Sequence, residues 1–340
     1  MNILLTSVGR RTYLIDYFKK ALGESGLVHA SNSMLTYSML QADKYVISPA
    51  IYDNTYIDFL LSYCLDNNIT AIISLFDIDL PILAKNKKLF EEQGITIIVS
   101  DYDVTQICND KWKTYTFLAQ IGLKQAKSYI TLTDAKLALS NGEITYPLFV
   151  KPRWGMGSIG LYQVENEDEL HVFYKKLHQD IFKTYLKYES NSDVDKCIII
   201  QEKISGEEYG LDVLNDLRGD YVTTIAKKKI AMRAGETDIA KIVDPTPFVA
   251  TGTKISKSLR HIANLDVDCF VTSDGEVYVL EMNCRFGGQY PFSHLAGANF
   301  PKQIVEWLAG KPTNPSLISP KIGVESCKDL NPVVLDFNYE

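Results

Sequence analysis

Residues 267–288 read VDCFVTSDGEVYVLEMNCRFGG, the most informative stretch of the chain. Two apolar runs flank Asp274-Gly275, a dipeptide that is typical of a tight β-hairpin turn. A turn centred there places Asp268 opposite residues 280–281 on the partner strand. The stretch therefore predicts an antiparallel hairpin whose second strand ends in paired glycines.

Polar side chains recur with a period of two along the second strand of this hairpin. Glu281 and Asn283 share one face, which Asp268 can join from the partner strand. Oxygen donors of this kind suit Mg²⁺, whose coordination phosphate oxygens can complete. Arg285, two positions further along, shares the face if the strand continues and can bind a phosphate with two N–H groups.

A second interpretation of these carboxylates stays open. Asp268 and Glu281 can also form the solvent-exposed face of an ordinary hairpin. The residues that follow, RFGGQ at 285–289, favour a binding site. Paired glycines at a polar strand end are costly unless a group approaches the backbone closely.

The first hundred residues alternate short apolar runs with helical patterns. This order predicts an α/β domain with a doubly wound parallel sheet. The predicted strands are 3–6, 27–31, 44–47, 71–75 and 95–99, and the predicted helices are 12–22, 36–41, 54–67 and 80–93.

After residue 101 helices and strands mix, and from Cys197 onward strands dominate. The tail from Lys311 is spotted with prolines and carries no clear pattern. Predicted helices are 111–121, 166–187, 259–263 and 300–309, and predicted strands include 128–131 and 147–151.

Composition argues against several classes of protein. The 340 residues are 46% hydrophobic and 23% charged, with a net charge of −7, so no nucleic-acid partner is expected. The six cysteines form no CxxC pair, which argues against a zinc ribbon or a redox motif. No apolar run suits a signal peptide or a membrane span, so we expect a soluble cytoplasmic protein that binds no membrane.

A glycine-rich stretch, FVKPRWGMGSIGLY, occupies residues 149–162. Its lysine, Lys151, precedes the glycines, whereas a P-loop has its lysine after them, and the dinucleotide pattern GxGxxG is not matched either. Lys151 closes an apolar strand and is followed by Pro152. A merely solvated lysine is not expected at such a position.

These motifs, in this order, resemble the ATP-grasp superfamily, in which the hairpin stretch typically reads E-[IM]-N-P-R-x-G-G. The resemblance is to the branch of the carbamoyl-phosphate synthase large subunit and the stand-alone ligases similar to it. It implies a pre-ATP-grasp Rossmann-like domain at 1–100, a subdomain with a glycine-rich lid at 101–197, a metal-binding subdomain at 198–312 and a tail at 313–340. Cys284 replaces the usual proline, and we expect it to be structural.

The resemblance implies an ATP site. Two lysines would contact the phosphates and a glycine-rich lid would cover them, while one strand would meet the adenine edge and a glutamate the ribose. The residues implied are Lys111, Lys151, Gly155, Gly157, Ser158, Glu202, Lys203, Ile204 and Glu208.

The resemblance also implies a metal site and catalytic residues. Asp268, Glu281 and Asn283 fall on positions that hold Mg²⁺, with Mn²⁺ as an alternative. Besides Lys151, Arg285 would steady the transferred phosphoryl group. Arg233 would hold a substrate carboxylate, as a planar bidentate donor can, or else cap a surface turn.

Further polar residues have roles that the sequence leaves open. Ligands of doubly wound sheets bind at the carboxyl ends of the strands. Arg10 and Arg11, after the first strand, could meet an anionic acceptor, and Asp77 and Asp79, after the fourth, could hold an amine. His294 is expected to give packing or polar support, or else to contact the acceptor.

The function implied is an ATP-dependent ligase that joins a carboxylate to an amine through an acyl-phosphate and releases ADP and phosphate. Small-molecule acids and amines would be its substrates, and a homodimer is expected by analogy. Two alternatives stay open. One is the phosphorylation of bicarbonate or carbamate, as in carbamoyl-phosphate synthesis, and the other is a non-catalytic ATP-binding module.

Overall fold

A computed structural model describes residues 1–157 and 159–334, so the predicted lid residue Ser158 lies outside the described residues. The N-terminal domain is a parallel sheet flanked by helices. Its strands are β1 (Asn2–Thr6), β2 (Val28–Asn32), β3 (Lys44–Ile47), β4 (Ile69–Ser74) and β5 (Thr96–Ile98), and its helices are α1 (Thr12–Leu22), α2 (Tyr37–Leu40), α3 (Tyr56–Asp66) and α4 (Asp79–Glu91). The strand order is β3-β2-β1-β4-β5, which confirms the predicted parallel sheet.

The middle of the chain forms a smaller antiparallel sheet of order β6-β9-β7-β8 with helices around it. Its elements are α5 (Tyr102–Asn109), α6 (Lys111–Gln120), β6 (Ser128–Tyr129), α7 (Leu132–Ser140), β7 (Leu148–Pro152), β8 (Tyr162–Val164), α8 (Glu167–Ile181), α9 (Lys187–Ser190) and β9 (Ile198–Glu202).

Two predictions for this region were too long. The strand predicted at 128–131 stops at Tyr129, because Thr131 caps helix α7 by accepting a hydrogen bond from the Asp134 N–H at 3.1 Å. The helix predicted at 166–187 ends at Ile181, and a separate short helix follows at Lys187–Ser190.

The last part of the chain forms a six-stranded sheet of order β14-β13-β10-β11-β12-β15 in which neighbours run antiparallel. Its elements are β10 (Glu207–Asn215), β11 (Tyr221–Arg233), β12 (Glu236–Val243), α10 (Thr246–Leu259), β13 (Asn264–Val271), β14 (Val277–Asn283), α11 (Tyr290–Leu295), α12 (Phe300–Leu308) and β15 (Glu325–Cys327).

The helix predicted at 259–263 is wrong. Helix α10 ends at Leu259, and Arg260 takes a left-handed conformation with φ 52°. The segment before it, TPFVATGTKISKSL, is rich in residues of low helix propensity, so tertiary burial of Phe248, Ile255 and Leu259 decides its conformation. The tail also holds more structure than expected, since β15 pairs with β12.

Three hydrophobic clusters hold the described residues together. Two are shared by the N-terminal domain and the six-stranded sheet, one including Leu4 and Val267 and the other Phe18 and Leu214. The four-stranded sheet has a core of its own with α8. The two sheets therefore belong to separately packed layers. Within the described residues, no helix is long and apolar enough to cross a membrane.

Candidate active site

A cavity of about 470 Å³ lies between the four-stranded and six-stranded sheets. Apolar side chains line much of it, among them Phe149 from one sheet and Phe270 and Leu280 from the other. Most of the residues predicted to bind ATP or metal also line it: Lys111, Lys151, Gly155, Gly157, Glu202, Lys203, Ile204, Glu208, Asp268 and Glu281. The structure thus brings together residues that are far apart in sequence.

Lys151 lies near the end of β7, where the burial of the strand places its side chain beside the cavity. Its Nζ donates a hydrogen bond to Gln201 Oε1 at 2.8 Å, and Gln201 Nε2 donates to Ser128 Oγ at 2.8 Å. No carboxylate of the described residues forms an ion pair with Lys151. Burial, with the nearby charge of Lys111, lowers the pKa of Lys151 to about 8.

The start of the glycine-rich loop is tied to helix α6. The Lys111 N–H donates to the Arg153 carbonyl at 3.1 Å, and Lys111 Nζ donates to the Gly155 carbonyl at 2.5 Å. Arg153 binds the buried Asp110 with two hydrogen bonds, of 2.8 and 2.7 Å. A bidentate pair of this kind fixes the orientation of both partners.

Neither Arg153 nor Asp110 was predicted as a site residue. Asp110 caps helix α6 by accepting from the Trp112 N–H at 2.9 Å. An Asp directly before a helical pattern is a recognisable cap, but nothing in the sequence shows that an arginine 43 positions away binds the same carboxylate.

The strand predicted to meet adenine has side chains that already have partners. Glu202 Oε1 accepts a hydrogen bond from the Lys127 N–H at 2.7 Å, and Lys203 Nζ donates to Gln163 Oε1 at 3.0 Å. The Glu202 carboxylate thus holds the edge of the neighbouring strand. Its contact with adenine stays a prediction.

Lys229 is a site residue that the sequence analysis missed. It lies on β11 and forms ion pairs of 2.7 Å with both Glu208 and Asp268, with its side chain only 4% exposed. Although burial lowers it, the charges of Asp268 and Glu208 raise the pKa of Lys229 above its ordinary value. The signal was the run Lys227-Lys228-Lys229, in which strand alternation points the middle lysine away from the other two.

The hairpin has the predicted register, with Asp268 opposite Glu281 and Asp266 opposite Asn283. Burial and the charges of Asp266 and Glu281 raise the pKa of Asp268 to about 6 despite the ion pair to Lys229.

The donor chemistry of the predicted metal set can be tested on these contacts. Within the described part of the chain, no three His, Cys, Asp or Glu side chains lie close enough together to hold a metal ion. The predicted set instead combines the carboxylates of Asp268 and Glu281 with the amide of Asn283. Both contacts of Asp268, from Lys229 and from Gln289, use Oδ1. Oxygen donors of this number fit a Mg²⁺ ion that also binds phosphates.

Arg285 lies outside the lining of the large cavity and is held by two carboxylates. It donates to Asp77 Oδ2 at 2.9 Å and to Asp266 Oδ2 at 3.0 Å, and all three side chains are almost fully buried. Since Asp77 follows β4, this ion-pair network joins the N-terminal domain to the end of the hairpin. Gly287 has a related cause, because a Cβ there would lie 2.1 Å from Asp266 Cγ, whereas Gly288 has no such close neighbour. The group that approaches the backbone is therefore a protein carboxylate.

Two other residues with open roles have structural partners. Asp79 is completely buried and accepts hydrogen bonds from the hydroxyl groups of Thr6, Ser7, Tyr56 and Ser74. His294 stacks on Tyr17 with ring centroids 3.5 Å apart. Burial lowers the pKa of His294 to about 4, as expected of a packing residue.

The predicted arginines differ in their surroundings. Arg233 binds both oxygens of Asp238, at 2.6 and 2.7 Å, at the exposed end of the β11–β12 hairpin, so its role toward substrate stays a prediction. Arg10 is exposed. Burial and the charge of Arg285 lower the pKa of Arg11, which also lies close to Asp77 and Asp266.

A smaller crevice borders the large cavity and shares Lys111, Gly155 and Glu281 with it. Polar residues from three parts of the chain line the rest of this crevice, and these are Asp77, Asn109, Glu189 and Asn283. Burial, with the nearby charge of Asp77, raises the pKa of Glu189 to about 7.

Comparison with known families agrees with this geometry. Residues 144–291 match the ATP-grasp domain family, and residues 3–98 match the PylC-like N-terminal domain family. The chain contains an ATP-grasp domain. This confirms the resemblance predicted from the hairpin and the glycine-rich stretch.

This ATP-grasp chain is also similar to curated proteins that are much longer than it. It is 24% identical over 255 residues to the arginine-specific large chain of carbamoyl phosphate synthase from Bacillus subtilis, an alignment that covers 72% of this chain and 22% of that protein. The chain thus spans about a fifth of that relative's length.

Solved structures confirm the fold of this ATP-grasp chain. A biotin carboxylase from Campylobacter jejuni superposes with a TM-score of 0.74 at 17% identity, over 95% of this chain and 74% of that one. An L-amino acid ligase from Bacillus licheniformis superposes with a TM-score of 0.71 at 20% identity, over 95% of this chain and 78% of that one. At such identities the likeness establishes the α/β fold with its antiparallel ATP-grasp sheets.

Proposed function

We propose that the protein is an ATP-dependent ligase that joins a small-molecule carboxylate to an amine and releases ADP and phosphate. The observation that supports this proposal most is the shared cavity. It gathers lysines, a glycine-rich loop and paired carboxylates within a chain that matches the ATP-grasp domain. Such an arrangement suits phosphoryl transfer, which needs positioned charge rather than a covalent protein nucleophile.

ATP would lie with its base between the apolar side chains of the two sheets, such as Phe149 and Phe270. Its phosphates would approach Lys111 and Lys151 at the polar end of the cavity. Lys151 has no carboxylate partner among the described residues, so its charge is free to bind a phosphate. The ion pair of Arg153 with Asp110 anchors the start of the glycine-rich loop and would position the lid over the phosphates.

The residues present fit a divalent cation. Asp268 through Oδ2, Glu281 and Asn283 would hold Mg²⁺, or Mn²⁺ in its place, together with phosphate oxygens. When bound, the cation supplies positive charge to the transferring phosphoryl group. Arg285 is held between Asp77 and Asp266, which neutralise its charge, so contact with the transferred phosphoryl group would require one of these ion pairs to open.

The experiment that tests the proposal is a screen of acid–amine pairs for phosphate release, with ADP identified as the second product. Amino acids come first, because the L-amino acid ligase has this fold. Release of AMP and pyrophosphate instead would contradict the proposal.

A variant at the metal positions makes the test specific. Glu281→Ala should lower turnover by at least about a hundredfold while ADP still binds, because the charge that stabilises the transition state is lost. The control is Glu276→Ala on the same hairpin, whose carboxylate is exposed and pairs with Lys124. If Glu281→Ala changed only nucleotide affinity, the protein would be a non-catalytic ATP-binding module.

A second candidate function is phosphorylation of bicarbonate or carbamate. The names of the carbamoyl phosphate synthase and biotin carboxylase relatives favour it. ATP hydrolysis stimulated by bicarbonate alone, without an organic acid, would support this candidate over the carboxylate–amine ligase.

We further propose that the protein works in a reducing compartment, the cytoplasm. All six cysteines lie within the described residues and are free, and five of them are buried. The homodimer expected by analogy stays a prediction, which sedimentation velocity of the purified chain will test.

A further inference from the structure

The smaller crevice contains buried acceptors that the described residues leave unpaired. Asp77 is 4% exposed, and while its Oδ2 binds Arg285, its Oδ1 has no hydrogen-bond partner in the described part of the chain. Asn109 Oδ1 is buried and equally without a partner among those residues. A buried acceptor without a donor costs about 1–3 kcal/mol, so both atoms favour a ligand that donates hydrogen bonds.

The orientation of these acceptors is fixed by neighbouring bonds. Asn109 Nδ2 donates to the Asp77 carbonyl at 2.7 Å. This bond fixes the orientation of the Asn109 amide and leaves its oxygen as the atom without a partner. The ion pair with Arg285 likewise holds the Asp77 carboxylate in place. The unpaired oxygens therefore belong to side chains that cannot easily turn to find other donors.

The unpaired acceptors of the crevice favour a ligand that donates hydrogen bonds over an anion, while Arg285 and Arg11 lie beside Asp77 as counter-charges. Glu189 adds a second carboxyl group, in a segment that stacks on the N-terminal domain through Tyr188 and Tyr52, with ring centroids 4.2 Å apart. Lys111, which is the one lysine among the described residues that line the crevice, donates its Nζ to the Gly155 carbonyl. A primary ammonium group has three N–H donors, and Asp77, Asn109 and Glu189 carry oxygens that can accept them.

We propose that this crevice binds the amine substrate, as a primary amine or ammonium group, through Asp77 Oδ1, Asn109 Oδ1 and the carboxyl group of Glu189. The site deepens the proposed ligase function and rests on it for its place in the reaction. Because Glu281 and Asn283 line the same crevice, an amine bound there lies beside the residues that would hold the metal and phosphates.

Binding of small probes to the full chain tests the site without turnover. Propylammonium, tetramethylammonium and propionate are compared by saturation-transfer NMR in the presence of ADP. We expect propylammonium to bind, and tetramethylammonium, which has the charge but no N–H donor, to bind at least about tenfold more weakly. Propionate should not bind there.

Variants assign the binding to the crevice. Glu189→Gln should weaken propylammonium binding about tenfold or more with ADP affinity unchanged, whereas the exposed control Glu91→Gln should leave both unchanged. Asn109→Leu, which removes an unpaired acceptor, should weaken the same probe. Circular dichroism melting of each variant confirms that it is folded.

The outcomes separate this proposal from the proposed function. Binding of propionate in place of propylammonium, or propylammonium binding that Glu189→Gln and Asn109→Leu both leave unchanged, would overturn the amine site while phosphate release could still establish the ligase. Variant-sensitive propylammonium binding without phosphate release from any acid–amine pair would support the site and contradict the ligase reaction.

Discussion

Lys151 and Lys229 line the same cavity from opposite sheets, and their partners are different in kind. Lys229, from the six-stranded sheet, lies between the carboxylates of Glu208 and Asp268. Lys151, from the four-stranded sheet, has only the amide oxygen of Gln201. The ion pairs raise the pKa of Lys229, whereas burial and the charge of Lys111 lower the pKa of Lys151 to about 8.

This difference in partners distinguishes a charge that stabilises the fold from a charge that is free to bind a ligand. A buried cation between two carboxylates is already neutralised, and its main effect is to hold β10, β11 and β13 in register. A buried cation held by a neutral amide keeps its charge and pays the desolvation cost, which a bound phosphate can offset. We therefore predict that Lys229 positions its neighbours and that Lys151 contacts the phosphates of ATP.

The largest expected effect is on stability at Lys229. Lys229→Met leaves two partly buried carboxylates side by side without their buried cation, so the free energy of unfolding should fall by about 3 kcal/mol. Urea denaturation measures it. The matched control is Lys228→Met, whose lysine pairs with the exposed Glu207 on the opposite face and should change the free energy by less than about 1 kcal/mol. Equal effects of the two variants would remove the distinction drawn for Lys229.

The next effect is on turnover at Lys151. Lys151→Met should lower turnover at least about tenfold, since a phosphate contact is lost, yet raise the free energy of unfolding at pH 7 by on the order of 1 kcal/mol. The pKa of Lys151 in the folded protein, about 8, lies below the ordinary value of 10.5. Between these pH values the unfolded chain binds more protons than the folded one. The free energy of unfolding of the wild type therefore rises with pH across this range. Denaturation at pH 7 and 9.5 should show this gain in the wild type and its loss in Lys151→Met.

The smallest expected effect is on the number of protons that the protein takes up when ATP binds. Phosphates next to Lys151 should restore its charge, so ATP binding at pH 8 should take up about half a proton. Isothermal titration calorimetry in buffers of different ionisation enthalpy measures the uptake. Uptake that persisted unchanged in Lys151→Met would show that another group titrates, and Lys228→Met, whose lysine pairs with Glu207 away from the cavity, should leave the uptake intact.

Local patterns in the sequence were sufficient for much of the fold. Alternating apolar runs predicted the parallel N-terminal sheet, and Asp274-Gly275 predicted the hairpin with Asp268 opposite Glu281. The segment Thr246–Leu259 was missed because its residues favour no helix by themselves. Its helix depends on packing against the sheet, which a local pattern does not contain.

The sequence predicted individual residues of the candidate site but not their ion-pair and hydrogen-bond partners. Hairpin spacing singled out Asp268 and Glu281 and strand-end burial singled out Lys151, while the family resemblance implied Lys111, and all four line one cavity. The partners of Arg285 were not predictable, since Asp77 lies 208 positions away in another domain. Nor did the sequence separate Asp79, which four hydroxyl groups satisfy, from Asp77, which keeps an unpaired oxygen in the described structure.

The sequence by itself determined the elements that depend on neighbours along the chain: strand periodicity, turn residues, glycines and the spacing of like side chains. Only the tertiary structure decided which of two similar charged residues is neutralised and which is free. That distinction depends on burial and on partners from other strands and domains, and the free energy of a charge is set by those surroundings rather than by its position in the sequence.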